Sequence, residues 1–315
     1  MLKTGTFLIG NTPLINLKYC GKSIYIKCEF FNLFGSMKDR AAAHIISRAF
    51  ELGLINNKTT IVESSSGNFG IALAAMCRQY GLRFICVIDS NTNKAIERLL
   101  FVYGAEIIKI TEADEYGGYL LNRLAKVKEI LSEQKNIYWT NQYENPLNAE
   151  AYHQLADEVL SNVNCPDYIF IPVSSGGTVT GVSFKVKEKS PNTKIIAVDS
   201  KGSVIFGGQA CKRHLPGMGS SIVPLILQKA KIDDVVVIEE TDMIRECRKY
   251  FNNTGILIGG SSGACLCAIQ KYLNYGDQTD VKIVTIFPDK GERYIETIYN
   301  DNWCREHFML LKAEE

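Results

Sequence analysis

Thr59-Thr60-Ile61-Val62-Glu63-Ser64-Ser65-Ser66-Gly67-Asn68-Phe69-Gly70 reads as a strand that runs into a loop of serine and glycine, after which the chain restarts as a helix to residue 80. β-Branched residues fill the strand, and small hydroxyl residues and glycine fill the turn. The unit returns twice. A strand over 168–173 leads through Ser174-Ser175-Gly176-Gly177-Thr178 into a helix over 179–189, and a strand over 255–258 leads through Gly259-Gly260-Ser261-Ser262-Gly263 into a helix over 263–275. Repetition of strand, tight loop and helix points to parallel strands joined by helical crossovers.

The chain around these units alternates in the same way. Further strands are expected over 14–17, 23–28, 84–88, 106–110, 137–139, 194–198, 234–238 and 282–287. Helices are expected from the turn at 35–40 to about residue 52, and over 93–103, 118–133, 149–160 and 242–251. In the first of these, Ala42, Ile45, Ile46, Ala49 and Phe50 share one face and Gly53 is the stop. So many strands exceed one comfortable open sheet. The fold class expected is therefore α/β, with two doubly wound domains, mostly parallel sheets, a cleft between them, and a boundary near residues 141–148.

Composition narrows the function. A net charge of +1 over 315 residues offers no basic face for nucleic acid or an anionic membrane. No apolar run approaches the roughly 20 residues needed to span a bilayer. Residues 1–11 carry one lysine and no segment of signal-peptide type, so a cytoplasmic protein is expected. The ten cysteines are scattered through apolar stretches without a Cys-x-x-Cys pair, and His44, His153, His214 and His307 stand at no metal-ligand spacing to them. Small buried hydrophobes are expected there, and no metal.

Gly35-Ser36-Met37-Lys38-Asp39-Arg40 is a tight turn into a helix, which places Lys38 where free N–H groups and the helix dipole oppose a cation. An amine whose ammonium form is disfavoured is a better nucleophile toward a carbonyl. A lysine that snorkels to water is the ordinary alternative. Each serine–glycine loop likewise ends at a helix start, where it could hold an anion or simply cap the helix. None has the ending of a P-loop or the spacing of a dinucleotide fingerprint. Together the four features suit a small, multiply charged ligand gripped at several points.

In order along the chain, Asn11-Thr12-Pro13-Leu14, the turn at 35–40, Ser64 to Gly70, Gln142-Tyr143-Glu144-Asn145-Pro146, Ser174 to Gly181, Gly259 to Gly263 and Pro288-Asp289 resemble the cysteine synthase and cystathionine β-synthase family of fold-type II pyridoxal-phosphate enzymes. The resemblance covers nearly the whole chain. It implies a tryptophan synthase β-like fold with a smaller N-terminal domain over 1–145 and a larger C-terminal domain over 146–315, the latter carrying the phosphate loop and joined by the strands around 12–30. It also implies pyridoxal 5'-phosphate as cofactor and a homodimer. Lys38 would carry the cofactor and move protons at the substrate α-carbon. Asn68 would bond the ring oxygen, Ser175, Gly176, Gly177 and Thr178 the phosphate, and Ser261 would face the pyridine nitrogen. Ser65, Ser66 and Gln142 would bind the α-carboxylate of an activated serine, whose β-substituent is replaced through an aminoacrylate.

Gly117-Gly118-Tyr119-Leu120, Arg123-Leu124-Ala125-Lys126-Val127, Asn141-Gln142-Tyr143, Ala197-Val198-Asp199-Ser200-Lys201-Gly202-Ser203-Val204-Ile205-Phe206-Gly207 and Pro216-Gly217-Met218-Gly219 resemble one branch of that family. Its members join O-phospho-L-serine to the amine of L-glutamate on the way to 2,3-diaminopropionate and a siderophore. This implies that Arg123, Tyr143 and Ser174 bind the second substrate. Sulfide as the nucleophile, giving cysteine, is the alternative, and a non-catalytic binding module a remote one. Three positions depart from their relatives: Phe69 stands where cysteine synthases have threonine, Tyr143 where they have phenylalanine, and Ile222 where the glutamate-using branch has arginine.

Overall fold

The computed structural model describes residues 8–114, 117–273 and 281–308. A hairpin of β1 (Leu14–Tyr19) and β2 (Lys22–Cys28) leads to α1 (Lys38–Glu51). Next, β3 (Thr60–Ser64), α2 (Asn68–Tyr80), β4 (Arg83–Asp89), α3 (Lys94–Val102), β5 (Glu106–Ile110), α4 (Leu120–Glu133) and β6 (Ile137–Trp139) alternate. Two helices, α5 (Pro146–Glu150) and α6 (His153–Asn162), precede β7 (Tyr168–Pro172), α7 (Gly177–Lys189), β8 (Lys194–Ser200) and β9 (Asp234–Ile238). The described chain closes with α8 (Glu240–Thr254), α9 (Gly260–Tyr272), β10 (Ile283–Phe287) and α10 (Asp301–Phe308).

Two sheets result. One has four parallel strands in the order β5-β4-β3-β6, and the other has six in the order β1-β2-β10-β7-β8-β9, parallel except for the β1–β2 hairpin. This is the α/β fold with mostly parallel sheets that the repeated units predict. Both faces of inner strands such as β4, β7 and β10 are covered, which is why they are apolar nearly throughout rather than alternating, while the edge strands β1, β5 and β9 keep exposed residues. In β4, Phe84, Cys86 and Ile88 join the core shared with α1 and α2, while Ile85 and Val87 meet Val127 and Ile130 of α4. In β7, Ile169 and Ile171 face one side and Phe170 the other. Along α1, Ala41, Ala42, Ile45, Ile46 and Ala49 are buried at helical spacing. Truncating a buried isoleucine such as Ile45 to alanine costs about 2–5 kcal/mol.

Two elements differ from expectation. Residues 255–258 form no strand. Gly255 ends α8 in the left-handed region, at φ 71°, and only Ile258 makes an isolated bridge, to Lys290. The Tyr299 hydroxyl accepts from Ile258 N at 2.9 Å and donates to Ile258 O at 2.8 Å, occupying the groups that a neighbouring strand would need. The helix expected over 149–160 is broken at Ala151 and Tyr152 into α5 and α6. There the Ala149 carbonyl lies against Gly181 of α7, where any β-carbon would collide with it. Helix α10 has no counterpart in the sequence reading, and the expected end of α9 at Tyr275 lies outside the described residues. Among the described residues no helix is long and apolar enough to cross a membrane.

Candidate active site

Strands β3, β4 and β7 deliver their carboxyl ends, and α1, α2, α7 and α9 their first turns, to the wall of one cavity of about 420 Å³. The ends of parallel strands are where such folds bind ligands. Lys38, Ser65, Ser66, Asn68, Arg123, Gln142, Tyr143, Ser174, Ser175, Gly176, Thr178 and Ser261 all line it. Twelve residues from six separate stretches of chain thus converge on one space.

Lys38 is the first residue of α1, and its turn is clamped from both sides. Gly35 adopts φ 85°, and Met37 N donates to Pro288 O at 2.9 Å. The Asp39 carboxylate accepts from Phe34 N at 2.6 Å and from Ser36 Oγ at 3.3 Å. Behind the turn, Arg40 forks onto Glu29 at 2.7 and 2.8 Å and onto Glu158 at 2.9 and 2.7 Å, and Lys27 shares Glu158 at 2.6 Å. Removing one member of such a buried network costs about 3–5 kcal/mol. The Lys38 amine itself has no hydrogen-bond partner among the described residues. Burial lowers its pKa to about 8, against the pull of Asp289. The amine is therefore poised to react as a neutral base or nucleophile near physiological pH.

Opposite Lys38 stands the second serine–glycine loop. Ser175 is 2 % exposed, and Gly176 turns the chain at φ 85° into α7. A β-carbon at Gly176 would lie 2.7 Å from Leu227 Cγ, and one at Gly177 would lie 2.5 Å from Asn148. Gly177 is not on the cavity wall. It stands behind the loop, where the absent side chain admits Asn148, whose amide donates to Gln142 O at 2.7 Å and Ser175 Oγ at 3.5 Å. The loop therefore presents hydroxyls and the free N–H groups of a 13-residue helix, while Ser261 does the same from the first turn of α9. Donors for an anion, a serine hydroxyl and an unpartnered amine for an aldehyde are the donor set that pyridoxal phosphate requires.

Asn68 does not cap α2. Its amide donates to Asp289 Oδ2 at 2.6 Å, and its oxygen accepts from Arg293, which leaves one amide hydrogen free for a ligand. Burial raises the pKa of Asp289, opposed by the Tyr294 hydroxyl at 2.7 Å and the Asn68 amide. The first serine loop is held by Glu63. Its carboxylate accepts from Ser64 N at 2.8 Å, Thr140 Oγ1 at 2.6 Å and Gln142 N at 3.2 Å, and burial raises its pKa to about 7. Gln142 Nε2 donates to Ser64 O at 3.1 Å, and Ser65 Oγ accepts from Gly70 N at 2.9 Å. Ser65, Ser66 and Gln142 are thus brought side by side.

A different set of side chains forms the far wall. Arg123, only 9 % exposed, has Nε 3.3 Å from Asp89 Oδ2, yet its Nε and Nη1 are buried without a hydrogen-bond partner. Tyr143 is buried, which raises its pKa, with Arg123 acting in the opposite sense. Ser174 Oγ donates to Gly219 O at 3.2 Å. Phe69 lines the cavity while also joining the core. Ile222 does not reach the wall, but Arg213 of the same irregular segment does. Sequence reasoning assigned no role to Asp89, Asp289, Arg293 or Arg213. Only Asp289 carried a signal, as part of the quoted Pro288-Asp289 motif.

Residues 5–289 match the family described as pyridoxal-phosphate dependent enzymes. The chain belongs to this family. As a pyridoxal-phosphate dependent enzyme it is also similar to solved structures of the cysteine synthase type. A hydrogen sulfide-producing enzyme of Fusobacterium nucleatum is 31 % identical, with a TM-score of 0.86, over 93 % of this chain and 100 % of that one. The O-acetylserine dependent cystathionine β-synthase of Helicobacter pylori is 29 % identical, with a TM-score of 0.87, over 95 % and 99 %. Cysteine synthase from Entamoeba histolytica is 29 % identical, with a TM-score of 0.88, over 100 % and 93 %.

Proposed function

We propose that this pyridoxal-phosphate dependent enzyme replaces the β-substituent of O-phospho-L-serine with the amine of L-glutamate, giving N-(2-amino-2-carboxyethyl)-L-glutamate and phosphate on the way to 2,3-diaminopropionate and a siderophore. The observation that carries this reading is Arg123. This buried guanidinium faces Asp89 at 3.3 Å through Nε, yet its Nε and Nη1 have no hydrogen-bond partner on the wall of the cavity that Lys38 lines, which leaves donors for an anionic ligand. A carboxylate matches its fork geometry, whereas sulfide has no use for it.

Pyridoxal phosphate, when bound, supplies the electron sink that lets an amino acid lose its α-proton and β-substituent. Ser175, Gly176 and Thr178 would hold the phosphate, with Gly177 admitting Asn148 behind them, and Asn68 and Ser261 would bind at the ring. Ser65, Ser66 and Gln142 orient the α-carboxylate of the serine substrate. Lys38 Nζ, neutral at lower pH than an ordinary lysine, takes the proton from the α-carbon and returns one there. Arg123, Tyr143 and Ser174 hold the acceptor so that its amine meets the β-carbon, where the C–O bond is exchanged for C–N. A division into domains at 145/146, with the first two strands joined to the larger domain, and a cytoplasmic homodimer belong to the same reading.

Similarity to a cysteine synthase favours a second reading, with sulfide as the nucleophile. Incubating the purified holoenzyme with phosphoserine or O-acetylserine, and with glutamate or sulfide, then identifying the products by mass spectrometry, separates the two. The glutamate adduct is expected. Cysteine without any glutamate adduct would overturn the first reading.

A further inference from the structure

Beyond the residues already assigned, the cavity wall carries Lys212 and a second guanidinium, that of Arg213. Arg213 lies in the irregular segment between β8 and β9, lines the cavity and is half-buried. No carboxylate lies within ion-pair distance of it among the described residues, although its charge acts on the buried carboxylates of Asp199 and Glu240. Its place is nonetheless well defined. The Glu240 carboxylate accepts from His214 N at 2.9 Å and Leu215 N at 2.6 Å, tying the adjacent backbone to the start of α8. Arg213 Nη1 donates to Gly202 O and Nη2 to Ser221 Oγ at 3.3 Å, leaving Nε without a partner among the described residues. Nε runs past Gly219, where a β-carbon would stand 3.2 Å away, and the carbonyl of that glycine accepts the Ser174 hydroxyl. Gly219 therefore links the guanidinium to Ser174, one of the groups assigned to the acceptor, and Tyr143 feels both Arg123 and Arg213 against the effect of burial.

We propose that Arg213 is a second anchor of the acceptor subsite, so that the acceptor is an amine bearing two carboxylates, one held by Arg123 and the other by Arg213. This rests on the acceptor reading above and sharpens it. A single cation would recognise any amino acid through its α-carboxylate. Two guanidinium groups that both act on one phenol select a dicarboxylic one, because each carboxylate removed from the ligand gives up one charge-assisted contact. Arg213 acts as a specificity residue that touches the acceptor and leaves the serine substrate alone.

The test uses the holoenzyme and two readouts. Glutarate, which has both carboxylates but no amine, is titrated calorimetrically, so that binding is read without turnover. Arg213→Gln and Arg123→Gln should each weaken glutarate about 10–100-fold, the range for losing a hydrogen bond to a charged group. Arg213→Lys, which keeps the cation without the fork, should fall between. In turnover, glutamate is compared with glutamine and with 4-aminobutyrate, each lacking one carboxylate. Arg213→Gln should lose activity with glutamate and with one truncated acceptor but not the other, and Arg123→Gln should show the opposite preference. The spectral response to phosphoserine should stay within about twofold of wild type, because the serine substrate is bound by Ser65, Ser66 and Gln142.

Unchanged glutarate binding in an Arg213→Gln protein that melts like wild type would overturn the proposal, whatever the wild-type product is. So would a raised phosphoserine requirement in the same variant, which would assign Arg213 to the leaving phosphate. Failure of the wild-type enzyme to use glutamate, with glutarate still bound through both arginines, would instead refute the acceptor named above and leave a dicarboxylate subsite standing.

Discussion

The two walls of the cavity are made in different ways. The wall proposed for the cofactor consists of backbone N–H groups, short hydroxyls and one lysine, all within a few residues of a strand end or at a helix start: Ser175, Gly176 and Thr178 after β7, Ser261 at the start of α9, and Lys38 at the start of α1. The wall proposed for the acceptor consists of long side chains drawn from distant elements: Asp89 at the end of β4, Arg123 in α4, Tyr143 before α5, and Arg213 in an irregular segment. A wall built from backbone is inseparable from the fold, since altering it moves a helix or a turn. A wall built from side chains can be rewritten one residue at a time. The chemistry of this enzyme is thus tied to its architecture, and the choice of acceptor is not.

Breaking the cofactor wall at Lys38 gives the largest effect expected. Lys38→Ala should lower turnover by at least about 10³-fold and abolish covalent attachment of the cofactor, read by mass after borohydride reduction. Substantial residual turnover would remove Lys38 from its role. In the wild-type protein the rate of cofactor attachment should rise with pH and level off near pH 8, where burial has placed the amine, instead of climbing toward 10.5. The sign of the linked stability follows. Between those two values the unfolded chain binds more protons than the folded one, so the cofactor-free protein should gain stability as pH rises through that window.

A smaller effect probes the backbone of the same wall. Gly177→Ala places a β-carbon against Asn148 and should cost about 1–3 kcal/mol, seen as a lower melting temperature, with cofactor affinity reduced by up to about 100-fold. An unchanged cofactor affinity would mean that Asn148 yields and that the loop is less rigid than its packing implies. The smallest effect belongs to the acceptor wall. Tyr143→Phe removes only a hydroxyl and should raise the glutamate KM about 3–10-fold while leaving the phosphoserine half-reaction intact. Equal loss in both would make Tyr143 a packing residue and blur the division between the walls.

Legibility in the sequence followed the same division. The loops at 64–70 and 174–178 and the turn at 35–40 could be placed because their geometry is written in local composition: glycine where the backbone must turn, hydroxyls and free N–H groups at a helix start. Residues 255–258 misled for a related reason. Their apolar pattern is that of a strand, but the Tyr299 hydroxyl occupies the backbone groups of Ile258, and Tyr299 lies 41 residues along the chain. The break between α5 and α6 was likewise invisible, since it depends on the close approach of Gly181 from another helix. Arg213 lies in a stretch with no periodicity, and Asp89 reads simply as the end of a strand.

By itself the sequence determined the α/β architecture, the pyridoxal-phosphate dependence and the turns that line the cavity, because strand, turn and helix start are local. Only the tertiary structure decided that Asp89, Arg123, Tyr143 and Arg213 share one wall, and that two guanidinium groups face a single space. Long side chains from distant elements acquire a common purpose only when packing brings them together. Whether a buried guanidinium keeps nitrogens without a hydrogen-bond partner, as Arg123 does, is a property of that packing alone.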